Sequence, residues 1–308
     1  MSLAPIALFT YNRPGHLIRT LSALQANLLA GNSHLYIFSD GPKNADDIQA
    51  VAEVRQIIKR VAGFAGTSVR EQTGNLGLAQ SIINGVTELS DAYGRVIVLE
   101  DDLLVAPGFL TFMNQALEHY AHVSRIMQVS GYMFPISQAA TLGDAFLSRK
   151  PASWGWATWK RAWGLFNHNS DELLSQIRSA GRQWEFDIDG SYPYFTMLEQ
   201  QAAGKMDVWG VRWYASMFLQ RGLCVYPTQS LVANMGMDGS GTHCDPTTIF
   251  DVPLSPLTAW DLSVDIEESP LGLELLRQFG VESQKKMRPS VVRRAINKFR
   301  QFAKRCAA

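Results

Sequence analysis

Three consecutive acids, Glu100, Asp101 and Asp102, follow directly on the apolar run Val96-Ile97-Val98-Leu99. Carboxylates are almost never buried without partners, so a strand carrying that run has to end where Glu100 begins, at the edge of the sheet. Adjacent carboxylates repel and raise one another's pKa unless a cation offsets them. A hard divalent ion such as Mn²⁺ or Mg²⁺, which takes one or two carboxylates plus water and phosphate oxygens, would do so. A solvated turn that happens to be acidic is the competing reading. The place of the acids favours a site, because ligands of α/β sheets bind outside the carboxyl ends of the strands.

The elements around this run repeat one logic. Apolar stretches at 5–10, 35–40 and 69–72 have strand character, and the run at 96–99 is a fourth strand. Between them, residues 16–29, 46–61 and 78–89 carry apolar side chains at helical spacing. Strands alternating with helices of this length predict an α/β fold, a mostly parallel sheet with helices on its faces. Polar residues gather at the strand ends: Arg13 in Tyr11-Asn12-Arg13-Pro14, Asp40 before Gly41, and Asn75 in Gly74-Asn75-Leu76-Gly77. Four loops that meet at one rim and supply an Arg, an Asp, an Asn and an acid cluster suit a nucleotide diphosphate. Arg13 as a plain surface charge and Asp40 as a plain turn former stay open. The chain has neither a G-x-G-x-x-G after the first strand nor a G-x-x-x-x-G-K-[ST], which argues against a dinucleotide dehydrogenase and a P-loop NTPase.

Composition excludes other classes. The chain has 308 residues, 46% of them hydrophobic, with zero formal net charge, as expected of an ordinary globular protein and not of a nucleic-acid binder. Its three cysteines fit a reducing compartment better than a disulfide framework. No signal peptide or membrane span is read from the sequence, which points to the cytoplasm. Charge is uneven, however. From Lys285 onward there are nine Lys or Arg and no acid, leaving 19 basic against 28 acidic residues in the body. Residues 285–308 also carry an apolar stripe through Val292, Ile296, Phe299 and Ala303. A basic amphipathic helix of this kind can lie on an anionic membrane surface, or pack on the body or in a dimer.

The strings TYNRP, SDG, NLG and RVIVLEDDLLVAPGFLTFMNQAL, with SWGWATWKRAW, KMDVWGVRWY and CVYPTQSLVANMGMDGSGTHC further on, resemble inverting glycosyltransferases of the GT-A fold. The chain is similar to the large family 2 and, more closely, to N-acetylglucosaminyltransferase I, over about residues 4 to 245. The resemblance is to a bacterial relative without the membrane anchor and stem of the eukaryotic enzyme. It implies a GT-A domain at 1–250, nucleotide-binding over 1–120 and acceptor-binding over 121–250, followed by an extension at 251–284 and the basic tail. It also implies transfer of a sugar from a nucleotide diphosphate, UDP foremost, to a glycan or lipid-linked saccharide of the kind used in cell-surface polysaccharide synthesis. Asp102 matches the metal ligand of the DXD-type motif, Asp101 and Glu100 the positions that hold ribose and donor-sugar hydroxyls, and Arg13 and Asp40 nucleotide contacts. The glycine-rich segment 235–243 matches a loop that closes over the donor, and places His243 within reach of the metal or pyrophosphate. Asp207, flanked by Trp209, Trp213 and Tyr214, matches the general base, although Trp209 and Trp213 also have the spacing of a buried helical face. Trp154-Gly155-Trp156 is expected to floor the acceptor cleft, with the other tryptophans of that string in the core. A nucleotidyltransferase acting on sugar phosphates and a non-catalytic carbohydrate-binding protein are the alternatives.

Overall fold

The computed structural model of the protein describes residues 3–240 and 246–287. Among the described residues ten strands lie in chain order: β1 Ile6–Thr10, β2 His34–Ser39, β3 Gly66–Glu71, β4 Arg95–Glu100, β5 Leu103–Val105, β6 Ile126–Ser130, β7 Ala145–Ser148, β8 Trp156–Trp159, β9 Leu223–Pro227 and β10 Val232–Asn234. The α-helices are α1 Pro14–Gln25, α2 Ile48–Ile58, α3 Leu78–Tyr93, α4 Phe109–His119, α5 Lys160–Trp163, α6 Ser170–Ser179, α7 Gln183–Phe186, α8 Tyr194–Ala202, α9 Trp209–Leu219 and α10 Pro270–Met287.

Eight strands form one sheet in the order β3-β2-β1-β4-β8-β6-β9-β7. The β3-β2, β2-β1, β1-β4 and β6-β9 pairs are parallel, whereas β8 runs antiparallel to both β4 and β6, and β7 to β9. The sheet is therefore mixed and mostly parallel, as the sequence predicts. Residues of β1 and β4 are apolar on both faces because helices cover both, and Ile6, Leu8, Val96, Ile97 and Leu99 are fully buried. A short antiparallel pair, β5 with β10, sits apart and ties the segment after the acid run to the chain near residue 234.

Several boundaries differ from expectation: β3 begins at Gly66 and not 69, α2 spans Ile48–Ile58 and not 46–61, and α3 runs on to Tyr93 past 89. Two further differences have a visible reason. β4 runs on through Glu100 instead of stopping at Leu99, because β1 still offers Phe9 opposite it. α1 ends at Gln25, not Leu29, since the Asn27 side chain turns away to accept the Leu110 N–H at the start of α4, at 3.0 Å. A second, smaller core packs α6, α7, α8 and α9 around Phe186, Leu198, Tyr214 and Phe218. The segment expected as an extension is fastened to the body: the Tyr120 hydroxyl donates to the Leu262 carbonyl at 2.6 Å, and Arg149 pairs with Glu268 at 2.7 Å. Leu275 and Leu276 of α10 are buried. The rest of the basic tail, from Arg288, and His243 lie outside the described residues.

Candidate active site

Strand order places the chemistry. From β1 the chain winds outward to β2 and β3, then returns to lay β4 on the other side of β1. Between β1 and β4 the winding direction reverses, and in open α/β sheets the crevice at such a reversal, outside the carboxyl ends, is where ligands bind. Arg13 leaves β1 there and Asp101 and Asp102 leave β4 there. The structure joins them: Arg13 Nη2 donates to Asp101 Oδ1 at 3.1 Å and to Asp102 Oδ2 at 2.8 Å. Arg13 also precedes Pro14, the first residue of α1, so the N-terminus of that helix opens on the same crevice.

Asp101 is locked in place. Its Oδ2 accepts the Tyr11 N–H at 3.0 Å, and its carbonyl accepts the Thr20 hydroxyl of α1 at 2.8 Å. Burial, only partly offset by Arg13, pushes its carboxyl up to about 6. Glu100 is raised further, to about 8, first by burial and then by the charges of Asp102 and Asp101. Burial alone would lower the Arg13 guanidinium, but the two aspartates outweigh it and hold it above its ordinary value. One guanidinium thus does not balance three carboxyls. That deficit is the test of whether a divalent cation fits, and on charge it does. Among the described residues no group of three or more His, Cys, Asp or Glu is arranged to hold a metal. A cation here would take its protein ligands from Asp102 and its neighbours and fill the remaining positions with water and phosphate oxygens, the habit of Mg²⁺ and Mn²⁺ rather than Zn²⁺.

The glycine-rich segment meets the acids from the other side. The Met235 N–H donates to the Asp102 carbonyl at 2.8 Å, and a Cβ on Gly236 would come within 2.1 Å of Asp102 Oδ2. His16 of α1 reaches Asp238 at 3.2 Å, tying the segment to the helix that follows Arg13. His16 and Thr20 were not singled out by sequence reasoning. Their signal is their turn-by-turn spacing after Arg13, which sets both on the face of α1 below it.

Asp40 and Asn75 build a loop. Asp40 Oδ1 accepts the Gly41 and Leu76 N–H groups, both at 2.8 Å, while Oδ2 accepts Gly77 N–H at 2.9 Å and Asn75 Nδ2 at 3.1 Å. Four donors fill the four lone-pair directions of a carboxylate. Asn75 Nδ2 also donates to the Gly41 carbonyl at 2.9 Å. Asp40 and Asn75 therefore act here on the turn that leads into α3, whose first position is preceded by Gly77 at φ +79°, a conformation suited to glycine.

Beside the acids lies a cavity of about 800 Å³, lined by Trp154, Trp209, Trp213, Tyr132, Phe134, Phe250 and Met237 among others. Trp154 lines it as expected, but Trp156 does not: it is buried and stacks on Trp209 with ring centroids 5.0 Å apart. The reason is local: Trp154 precedes β8, and Gly155 between them, at φ +61°, breaks the two-residue repeat that would otherwise set both rings on one face. Trp213 is buried as a helical face predicts and donates to Gln128 Oε1 at 2.6 Å. Asp207 is not brought to the acid cluster. Its side chain is 67% exposed and paired with Arg212 at 3.0 Å, one residue before Val208, which lines the cavity.

No protein-family model and no curated protein matches the chain. Among solved structures it is similar to the mannosyltransferase PcManGT from Pyrobaculum calidifontis in complex with GDP-Man and Mn²⁺, with 12% identity, 57% of this chain and 47% of that chain covered, and a TM-score of 0.35. It is also similar to TarS from S. aureus, over 38% of this chain and 20% of that one at 12% identity and a TM-score of 0.29. The TarS fragment 1–349 gives 8% identity, 53% and 48% coverage, and a TM-score of 0.37. The chain thus spans less than half the length of each of these proteins.

Proposed function

We propose that the protein is a metal-dependent, inverting glycosyltransferase of the GT-A type that moves a sugar from a nucleotide diphosphate, a UDP-sugar, to a saccharide acceptor. The observation that supports it most is the meeting of Arg13, Asp101 and Asp102 at the β1/β4 reversal, with the N-terminus of α1 facing the same crevice. A pyrophosphate and its cation match that charge pattern.

Asp102 would hold Mn²⁺ or Mg²⁺, whose chemistry is to neutralise the leaving diphosphate, and Asp101 and Glu100 beside it would hold hydroxyls of the ribose and the donor sugar. Arg13, freed from part of its pairing, binds phosphate oxygens and keeps them next to the helix N-terminus. The loop organised by Asp40 and Asn75 supports the nucleoside. Residues 235–240, pinned through Met235 and His16, cover the donor and exclude water that would hydrolyse it. Asp207 takes the proton of the attacking acceptor hydroxyl, and the aromatic cavity beside it holds the acceptor. The basic segment 285–308 places the enzyme on the anionic inner surface of the cytoplasmic membrane, where lipid-linked saccharides are extended.

The test is incubation with a panel of UDP- and GDP-sugars and Mn²⁺, following slow release of the free sugar. A single preferred donor, hydrolysed only with the metal, is the expected result. Hydrolysis of none, together with no UDP binding in calorimetry, overturns the proposal.

A further inference from the structure

Lys150 is an unusual lining residue of the aromatic cavity. Only 8% of it is exposed, and its ammonium sits 3.7 Å from the centroid of the Phe134 ring. Its backbone is fixed, since the Tyr226 hydroxyl donates to its carbonyl at 2.8 Å. Arg149, one residue earlier, is paired on the other side of the chain with both Glu268 and Asp189. Among the described residues no carboxylate pairs with Lys150, and none lines the cavity. A buried ammonium without an anion is costly, and one ring face returns only part of that cost. Burial accordingly lowers its pKa to about 7.

We infer that the cavity takes a saccharide bearing a carboxylate or a phosphate, and that Lys150 is the residue that selects it. The ammonium supplies the charge that a neutral sugar would leave unmet, while Trp154 and Trp209 in the same lining offer aromatic surface to the apolar side of a pyranose. A cationic sugar is repelled both by Lys150 and by Lys286, which also lines the cavity. Calling this saccharide the acceptor rests on the transferase proposal; its binding does not.

The experiment is calorimetry on the full chain with methyl glucuronide, glucose 6-phosphate, methyl glucoside and inorganic phosphate. One of the two anionic sugars is expected to bind roughly tenfold or more tightly than the neutral glycoside, and which one does so identifies the anionic group. Lys150→Gln should erase that preference and Lys150→Arg should keep it, which a proton-transferring lysine would not allow. Binding of UDP with Mn²⁺ should be unchanged in both variants, showing that they fold. Equal affinity for neutral and anionic sugars, no binding of any sugar, inorganic phosphate binding as tightly as the sugar phosphate, or a preference that survives Lys150→Gln overturns the inference. An anion preference without any UDP binding sinks the transferase proposal and leaves this one standing.

Discussion

Arg13 serves as the internal counter-charge of the acid cluster, and that arrangement makes the proposed metal site testable by stability alone. A cation that binds only the folded protein stabilises it by about 2.7 kcal/mol at a hundredfold excess over Kd. Mn²⁺ should therefore raise Tm by several degrees, and Asp102→Asn should abolish the rise while cutting transfer by orders of magnitude. A full Tm response in Asp102→Asn would show that the cation binds elsewhere. Lys150 gives the pH counterpart. Its pKa falls from the ordinary 10.5 to about 7, so between those values the unfolded chain holds a proton that the folded one lacks. Stability should rise with pH across that window, and the penalty should be full below 7, on the order of 5 kcal/mol. Lys150→Met is thus expected to raise Tm, most strongly near pH 6. Anionic-sugar affinity should run the other way, falling as pH rises above about 7 and the ammonium is lost. Tyr132 and Tyr194, which line the cavity, and the Cys224 thiol near Lys150 stay uncharged throughout, because burial pushes all three up.

At the scale of the element, the loops around the crevice are held by few, replaceable contacts. Asp40→Ala removes the acceptor for four donors in the turns at 41 and 75–77, each such bond to a charged group contributing about 1.5–3 kcal/mol. A drop of several degrees in Tm together with weaker UDP binding is the expected outcome, read by melting and calorimetry. Gly236→Ala acts on the acids directly. The added methyl would collide with Asp102 Oδ2, which Arg13 holds, so metal-free Tm should fall and Mn²⁺-dependent stabilisation should weaken as well. These contacts mark the limit of what the sequence discloses. Apolar runs and helical spacing announce β1, β2, β4 and α1 to α3 because both are local patterns, and the acid run announces itself because charge after a buried strand is anomalous. Asp40 holding the turn before α3, or Gly236 against Asp102, is a contact across more than 30 or 130 residues of chain. Lys150 was passed over for the same reason: its burial is created by Phe134, Tyr226 and α10, none of them its sequence neighbours. Trp156 illustrates the converse. Trp154, two residues away, lines the cavity and it does not, although two-residue alternation would set both on one face; the positive φ of Gly155 between them is not legible from spacing.

For the molecule as a whole, the last described helix joins the cavity to the basic tail. α10 contributes Leu276, Phe279, Gly280 and Ser283 to the cavity wall, and Lys286 and Met287 at its end line it too. Beyond that point the sequence is basic, against a body in which acids exceed bases. No described helix is long and apolar enough to cross a membrane. If the tail settles on anionic lipid, the cavity wall at 286–287 is carried to the headgroups, where a lipid-linked acceptor with an anionic sugar would present itself. Each basic residue near such a surface contributes about 1 kcal/mol, a contribution that salt screens. The full chain should sediment with phosphatidylserine vesicles at low salt and be released at high salt, while a chain ending at Met287 stays in the supernatant. Because the truncation keeps the helix that walls the cavity, it should still bind the anionic sugar in free solution. Loss of vesicle binding with sugar binding intact would separate the two roles. Equal sedimentation of both chains would assign the tail to the body or to a dimer instead.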